Sequence, residues 1–212
     1  MMNIGPIFAS FLASEETETL LDPNIITNNC KKLRLQQAGF GQPGGWQSGF
    51  MDPWGETLAP LTQLVWDRAQ YITYNLIKIK PEFKPRIDSV WINLNESDSL
   101  DQIHNNPPHL HANQFLSFVY YAKAHPGCGK LTLSTPSSVQ EYTMPRYMLS
   151  EDQNEFNCTR MYIYPQPGLL VAFPGYLMHH VDPNQSGHDR ISIAYNIALP
   201  HQDNTAAGGR ME

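Results

Sequence analysis

Two hydrophobic periods divide the chain. Between Glu56 and Lys78, apolar residues recur three and four apart at Leu58, Leu61, Val65, Ala69, Ile72 and Leu76. That spacing gathers them on one face of a helix, which packs against a sheet. Beyond Pro85 the period becomes two. Ile87, Ser89, Trp91, Asn93 and Asn95 alternate with Asp88, Val90, Ile92 and Leu94, the pattern of a strand with two unlike faces. Further strands are expected over residues 115–122, 130–134, 160–164, 168–173, 178–181 and 190–199, separated by Pro, Gly and Asn turns.

The amino-terminal part is less regular. Residues 6–12 alternate loosely and read as an edge strand, and Asp22 with Pro23 forms a cap and first helical position for a short helix to about Leu35. The glycine-rich stretch 39–55, containing GQPGGWQSGF, lacks the spacing of a phosphate-binding loop. It reads as a loop carrying Trp46 and Trp54. Residues 135–159 lose all periodicity and hold two prolines with Glu151, Asp152 and Glu155, which suggests an excursion from the strands that acts as a rim loop or lid. The resulting expectation is one mainly β domain over 1–212, a sandwich or barrel with helices packed on one sheet. Residues 1–85 would supply helices and loops, 86–200 the β core and 201–212 a flexible tail.

Composition narrows the partners. The formal net charge of −6 and fourteen scattered Lys and Arg residues leave no electrostatic footprint for a phosphate backbone, so no nucleic acid is expected. No apolar run approaches the roughly 20 residues needed to cross a bilayer, and no basic residue precedes the apolar stretch 7–13 as a signal peptide would require. A cytoplasmic protein is the expectation. Cys30, Cys128 and Cys158 are odd in number and far apart, which argues for reduced thiols over disulfides or a thiolate metal site.

The chemistry lies in the histidines. Six of eight fall in two groups, His104, His109 and His111 before one strand and His179, His180 and His188 around a later turn. In HLH, side chains two apart on an extended chain project from one face, near enough to share an ion, and a later histidine completes a facial set. Three imidazoles with open positions suit a metal that performs chemistry. Arg190 follows His179 by eleven residues and Ser192 by two more, so guanidinium and hydroxyl can face the same interior. A buried guanidinium needs an anion, and its fork of donors matches a carboxylate. A small dicarboxylate that chelates the metal at one end fits that requirement, and 2-oxoglutarate has this geometry.

The segments GGWQS (44–48), WIN (91–93), HLHANQFLSFVYY (109–121), FPGYLMHHVDP (173–183) and RISIAYN (190–196) resemble, in order, the short 2-oxoglutarate/Fe(II) oxygenase-like proteins of marine bacteria and cyanophages, relatives of the prolyl hydroxylases. The resemblance implies a double-stranded β-helix, or jelly roll, with the metal near one mouth. It implies Fe(II) on His109, His111 and His179, with His179 preferred over His180. Arg190, Ser192, Tyr121 and Asn93 would bind the cosubstrate. The wider superfamily carries HxD or HxE where this chain has HxH, and the resembled family carries a glycine where this chain has Phe118.

The expected activity is therefore a dioxygenase using Fe(II), 2-oxoglutarate and O2, with ascorbate as an auxiliary reductant, that hydroxylates a peptide side chain or a small molecule. A groove lined by Trp46, Trp54 and residues 135–159 would suit a peptide. Two alternatives stay open on sequence. One is a cupin-like metalloenzyme that does not use 2-oxoglutarate, and the other is a non-catalytic jelly-roll module of a phage particle. The oligomeric state is also open, a homodimer included, as is residence in a host cytoplasm if the chain is phage-encoded.

Overall fold

The computed structural model describes residues 2, 5–37, 39, 45–96, 106–143 and 154–200. Its elements are β1 (Ala13–Glu16), α1 (Pro23–Gln36), β2 (Gly45–Gln47), α2 (Ala59–Tyr71), β3 (Arg86–Asn95), β4 (Asn106–His109), β5 (Leu116–Lys123), β6 (Leu131–Ser134), α3 (Ser138–Thr143), β7 (Arg160–Ile163), β8 (Leu169–Pro174), β9 (His179–Val181) and β10 (Arg190–Ala198). They build a six-stranded sheet in the order β1-β8-β5-β10-β3-β2 and a four-stranded sheet in the order β4-β9-β6-β7. Every pairing is antiparallel. The architecture is a mainly β jelly roll with α1 and α2 against the larger sheet.

Strand β10 shows why the chain folds this way. It lies between β3 and β5 and is buried along its whole length. Its odd positions Ile191, Ile193, Tyr195 and Ile197 join Val90, Ile92 and Leu94 of β3 and Leu116, Phe118 and Tyr120 of β5 in one apolar cluster. The helices contribute Ile26, Cys30, Leu58, Leu61, Val65 and Ala69 to it. Its even positions Arg190, Ser192, Ala194 and Asn196 face a cleft on the opposite side of the sheet. A smaller cluster of Tyr121, Leu131, Leu133, Ile163, Val171, Phe173 and Leu177 fills the space toward the second sheet. The period of two thus separates a packing face from a working face.

Helix α1 begins where the sequence places it, with the Asp22 carboxylate accepting from Asn24 N at 2.8 Å. Helix α2 is shorter than its apolar stripe. After Tyr71 the chain continues as a π-helical turn, Ile72–Leu76, which shifts the side-chain phase and leaves Leu76 52% exposed. The amino-terminal strand lies later than expected, at Ala13–Glu16 rather than 6–12. Its polar sequence is tolerated because β1 is an edge strand paired only with β8, and because Arg68 of α2 grips Glu15 with two bonds of 2.6 and 2.7 Å. Gly45–Gln47, read as loop, is a short strand opposite Asn93–Asn95. His104, residues 144–153 of the expected lid and the tail 201–212 lie outside the described residues. Cys30 and Cys128 are free, buried thiols, and among the described residues no helix is long and apolar enough to cross a membrane.

Candidate metal centre

The pairing of β4 with β9 sets His109 directly opposite His179, and His111 follows on the loop after β4. The three rings converge, with centroids 5.2 Å apart for His109 and His111, 4.3 Å for His109 and His179, and 5.0 Å for His111 and His179. One nitrogen from each lies within 4.8 Å of the others. The Nδ1 atoms of His109 and His179 contact the carbonyls of Pro107 at 2.7 Å and Leu177 at 2.9 Å. An N–H donated there leaves Nε2 bare as the ligand atom. His111 is held through its backbone N–H on Gly175 O at 3.0 Å, by the Trp91 ring 5.9 Å away, and by the Asn196 amide 3.4 Å from its Nδ1. At Gly175 a side chain would set its Cβ 2.4 Å from Gln114 O, so the close approach of this turn to the His111 loop requires glycine.

Burial pushes His179 down to about 4; the Leu177 carbonyl opposes the shift and the neighbouring His109 and His111 add to it. Burial and the nearby His109 also push His111 down to about 4. Both are therefore neutral at pH 7, the form that ligates a metal. His180 points elsewhere, its Nε2 3.5 Å from the Asp182 carboxylate.

The other end of the cleft is built on the β3-β10-β5 register. Asn93, Ser192 and Tyr121 form one lateral row, and Asn95 stands opposite Arg190. Arg190 is 3% exposed. Its Nη1 donates to the carbonyls of Cys128, Gly129 and Asp182, and its Nη2 donates to Asn95 Oδ1 at 3.0 Å. Among the described residues no carboxylate completes this set. Asp182 instead pairs with Lys130 at 2.7 Å, and Asp189 with Lys123 at 3.2 Å. Burial depresses the Arg190 guanidinium, with Tyr121 the first of the groups opposing that shift, and burial raises the Tyr121 hydroxyl, partly offset by Arg190. The Tyr121 hydroxyl is itself buried with no hydrogen-bond partner among the described residues. A buried cation lacking an anion beside an orphaned hydroxyl is the arrangement a carboxylate ligand would satisfy.

All seven residues singled out from sequence, His109, His111, His179, Arg190, Ser192, Tyr121 and Asn93, line this one cleft. The tryptophan expectation is corrected. Trp46 packs into the helix-side cluster, because its partner Leu94 faces that way, and Trp54 does not line the cleft. The tryptophan at the cleft is Trp91, with the 82% exposed Phe50 ring 6.2 Å away. Sequence reading missed Asn95, Asn196 and Ser117. The signal for them was polar side chains recurring at even spacing inside strands whose other face is mainly apolar.

Three imidazoles around one point and a buried arginine in a jelly-roll frame make a mononuclear metal site with open positions, beside a cation suited to an anionic ligand. The donor set fits Fe(II), since imidazole suits iron and three protein ligands leave positions open. Residues 89–196 match the family described as "Putative 2OG-Fe(II) oxygenase", and the chain belongs to that family, whose metal and cosubstrate are Fe(II) and 2-oxoglutarate. No curated protein sequence matches the chain.

Solved structures share the fold at low identity. A Pseudomonas putida prolyl-4-hydroxylase is 12% identical with TM-score 0.57, over 90% of this chain and 93% of that one. A prolyl hydroxylase from Trichoplax adhaerens, in complex with a hypoxia inducible factor oxygen degradation domain peptide fragment, is 11% identical with TM-score 0.62, over 94% and 87%. The epimerase SnoN, in complex with Fe3+, alpha ketoglutarate and nogalamycin RO, is 12% identical with TM-score 0.59, over 95% and 87%. Family membership weighs against both the cupin-like and the non-catalytic alternatives.

Proposed function

We propose that this oxygenase is a hydroxylase in which His109, His111 and His179 hold Fe(II) while Arg190, Tyr121, Ser192 and Asn93 bind the far carboxylate of 2-oxoglutarate. The observation that carries the reading is the buried guanidinium of Arg190, without a carboxylate partner among the described residues, in the same cleft as the converging imidazoles. Iron with dioxygen and 2-oxoglutarate supplies an oxidation in which the cosubstrate loses CO2 and becomes succinate, while a substrate C–H becomes C–OH. The protein's own share is orientation. Carbonyls of Cys128, Gly129 and Asp182 fix the guanidinium plane, so its remaining N–H groups are set before the cosubstrate arrives. Leu131, Phe173 and Val181 give the cleft an apolar wall that limits water.

A peptide side chain is the substrate class we favour. The cleft mouth is aromatic at Trp91 and Phe50, and the neighbouring Leu110 is 45% exposed, surfaces that suit an extended chain crossing an open rim. The Trichoplax structure with its bound peptide is consistent with that choice, while the ligand named with the epimerase keeps a small molecule as the second reading. The test is aerobic incubation with Fe(II), 2-oxoglutarate and ascorbate, with and without proline-containing peptides. Succinate above the level given by His179→Ala, stimulated by a peptide, is the expected result. No turnover, together with no metal taken up on anaerobic loading, overturns the proposal.

A further inference from the structure

The three candidate ligands are not held alike. His109 and His179 each have a main-chain carbonyl at Nδ1, whereas among the described residues His111 has at that nitrogen only the side-chain amide of Asn196, 3.4 Å away. Asn196 is 5% exposed and sits at the centre of a row across three strands, opposite Ser89 on β3 and Ser117 on β5. Its Oδ1 accepts from Ser117 Oγ at 3.0 Å, and its Nδ2 donates to Ser89 Oγ at 3.3 Å. The register of β10 shifts immediately after it, between Asn196 and Ile197, a local irregularity of the kind that re-aims a side chain.

The identity of the atom facing His111 matters. A neutral imidazole carries one proton. If Nδ1 accepts from the amide, that proton sits on Nε2 and blocks it as a ligand. If Nδ1 carries the proton, Nε2 is bare. Turning the amide about its Cβ–Cγ bond exchanges two groups of nearly equal size. Oδ1 then faces the His111 Nδ1–H and the Ser89 hydroxyl, and Nδ2 donates to Ser117 Oγ. Each serine can switch between donor and acceptor, so this second arrangement keeps the Asn196 amide bonded to both serines.

We infer that Asn196 is a positioning residue whose Oδ1 accepts a hydrogen bond from the Nδ1–H of His111 and thereby selects the tautomer presenting Nε2 to the metal, with Ser89 and Ser117 holding the amide in that orientation. This rests on the assignment of His109, His111 and His179 as the ligand set. It gives His111 the acceptor its two fellow ligands obtain from the main chain. It also makes β10 contribute to both ends of the cleft, Arg190 toward the anion and Asn196 toward the metal.

The test uses Zn(II) alone as probe, with affinity read by chelator competition and tautomer read by 15N NMR of the imidazoles. In the unmodified protein loaded with Zn(II), His111 should show a slowly exchanging Nδ1–H and a metal-bound Nε2. Asn196→Leu should weaken Zn(II) binding about 10- to 100-fold. Asn196→Asp keeps an oxygen acceptor and should restore affinity to near the unmodified value. His111 bound through Nδ1 would overturn the inference, as would Asn196→Leu binding within twofold of the unmodified protein, or Asn196→Asp falling as far as Asn196→Leu. If Asn196→Leu does not fold, the NMR of the unmodified protein and the Asp variant still decide. Unmodified protein that takes up no Zn(II) overturns the ligand assignment itself, an outcome distinct from the others.

Discussion

The two faces of β10 carry the same alternation and opposite chemistry. Toward the helices stand Ile191, Ile193, Tyr195 and Ile197, each fully buried and surrounded by apolar side chains. Toward the cleft stand Arg190, Ser192, Ala194 and Asn196, three of them polar and all within 9% of complete burial. Burying polar groups costs stability unless every one is bonded, and among the described residues the cleft face leaves a guanidinium without a carboxylate partner and the orphaned Tyr121 hydroxyl beside it. The helix face supplies the apolar burial that offsets this. Substitutions on one face should therefore move the fold, and substitutions on the other should move the ligands.

The largest effect that sharpens this division is loss of a ligand. His179→Ala should reduce Fe(II) affinity by more than ~100-fold, beyond the range for residues that merely support a ligand, with the fold retained by circular dichroism. His180→Ala should leave affinity within a few-fold, because that ring faces Asp182. Equal losses in anaerobic metal titrations would show that the distal ligand is misassigned. The helix-face counterpart is Ile193→Ala, which should cost about 2–5 kcal/mol of unfolding free energy in urea titration. Its metal affinity should be unchanged where the protein is folded. A metal defect in that variant as deep as in His179→Ala would dissolve the distinction between the faces.

Much of this division was legible in the chain. The alternation of Val90, Ile92 and Leu94 with Trp91, Asn93 and Asn95 already separated the faces of β3, and HLH with a later histidine already marked a shared ion, because strand parity is a local property. What local pattern could not supply was pairing. Trp46 looked like a groove residue among glycines, yet its cross-strand partner Leu94 turns it into the helix-side core. Asn196 looked like one more polar residue in RISIAYN, and its meaning depends on Ser89 and Ser117, 107 and 79 positions away in sequence. The Ala13–Glu16 strand was hidden because its polarity is stabilised by Arg68, 53 residues from Glu15.

Arg190→Ala tests the far end of the cleft. A buried charge-assisted hydrogen bond is worth about 1.5–3 kcal/mol, so 2-oxoglutarate binding should weaken roughly 10- to 100-fold in calorimetric titration of the metal-loaded protein. Metal affinity should not follow, since Arg190 contacts Cys128, Gly129, Asp182 and Asn95 rather than the histidines. Unchanged cosubstrate affinity would refute the carboxylate-fork argument and leave the guanidinium as a structural clamp on the turn before Lys130.

A further effect is the acid sensitivity that the cleft face imposes on the metal-free fold. His111 and His179 are held by burial at about 4, below the roughly 6.5 of an exposed imidazole. Between those values the unfolded chain binds more protons than the folded one, so folding stability rises with pH across the window and is lost as pH falls. The contribution is fully present above about 6.5 and declines toward about 4, with a limiting slope of roughly 1 kcal/mol per histidine per pH unit. Urea titrations of metal-free protein between pH 7 and pH 5 read this slope, before most carboxylates titrate. In His179→Ala the slope should fall by one proton equivalent, while in Ile193→Ala it should stay as in the unmodified protein even though total stability is lower. A slope that follows total stability instead would place the acid sensitivity outside the cleft face.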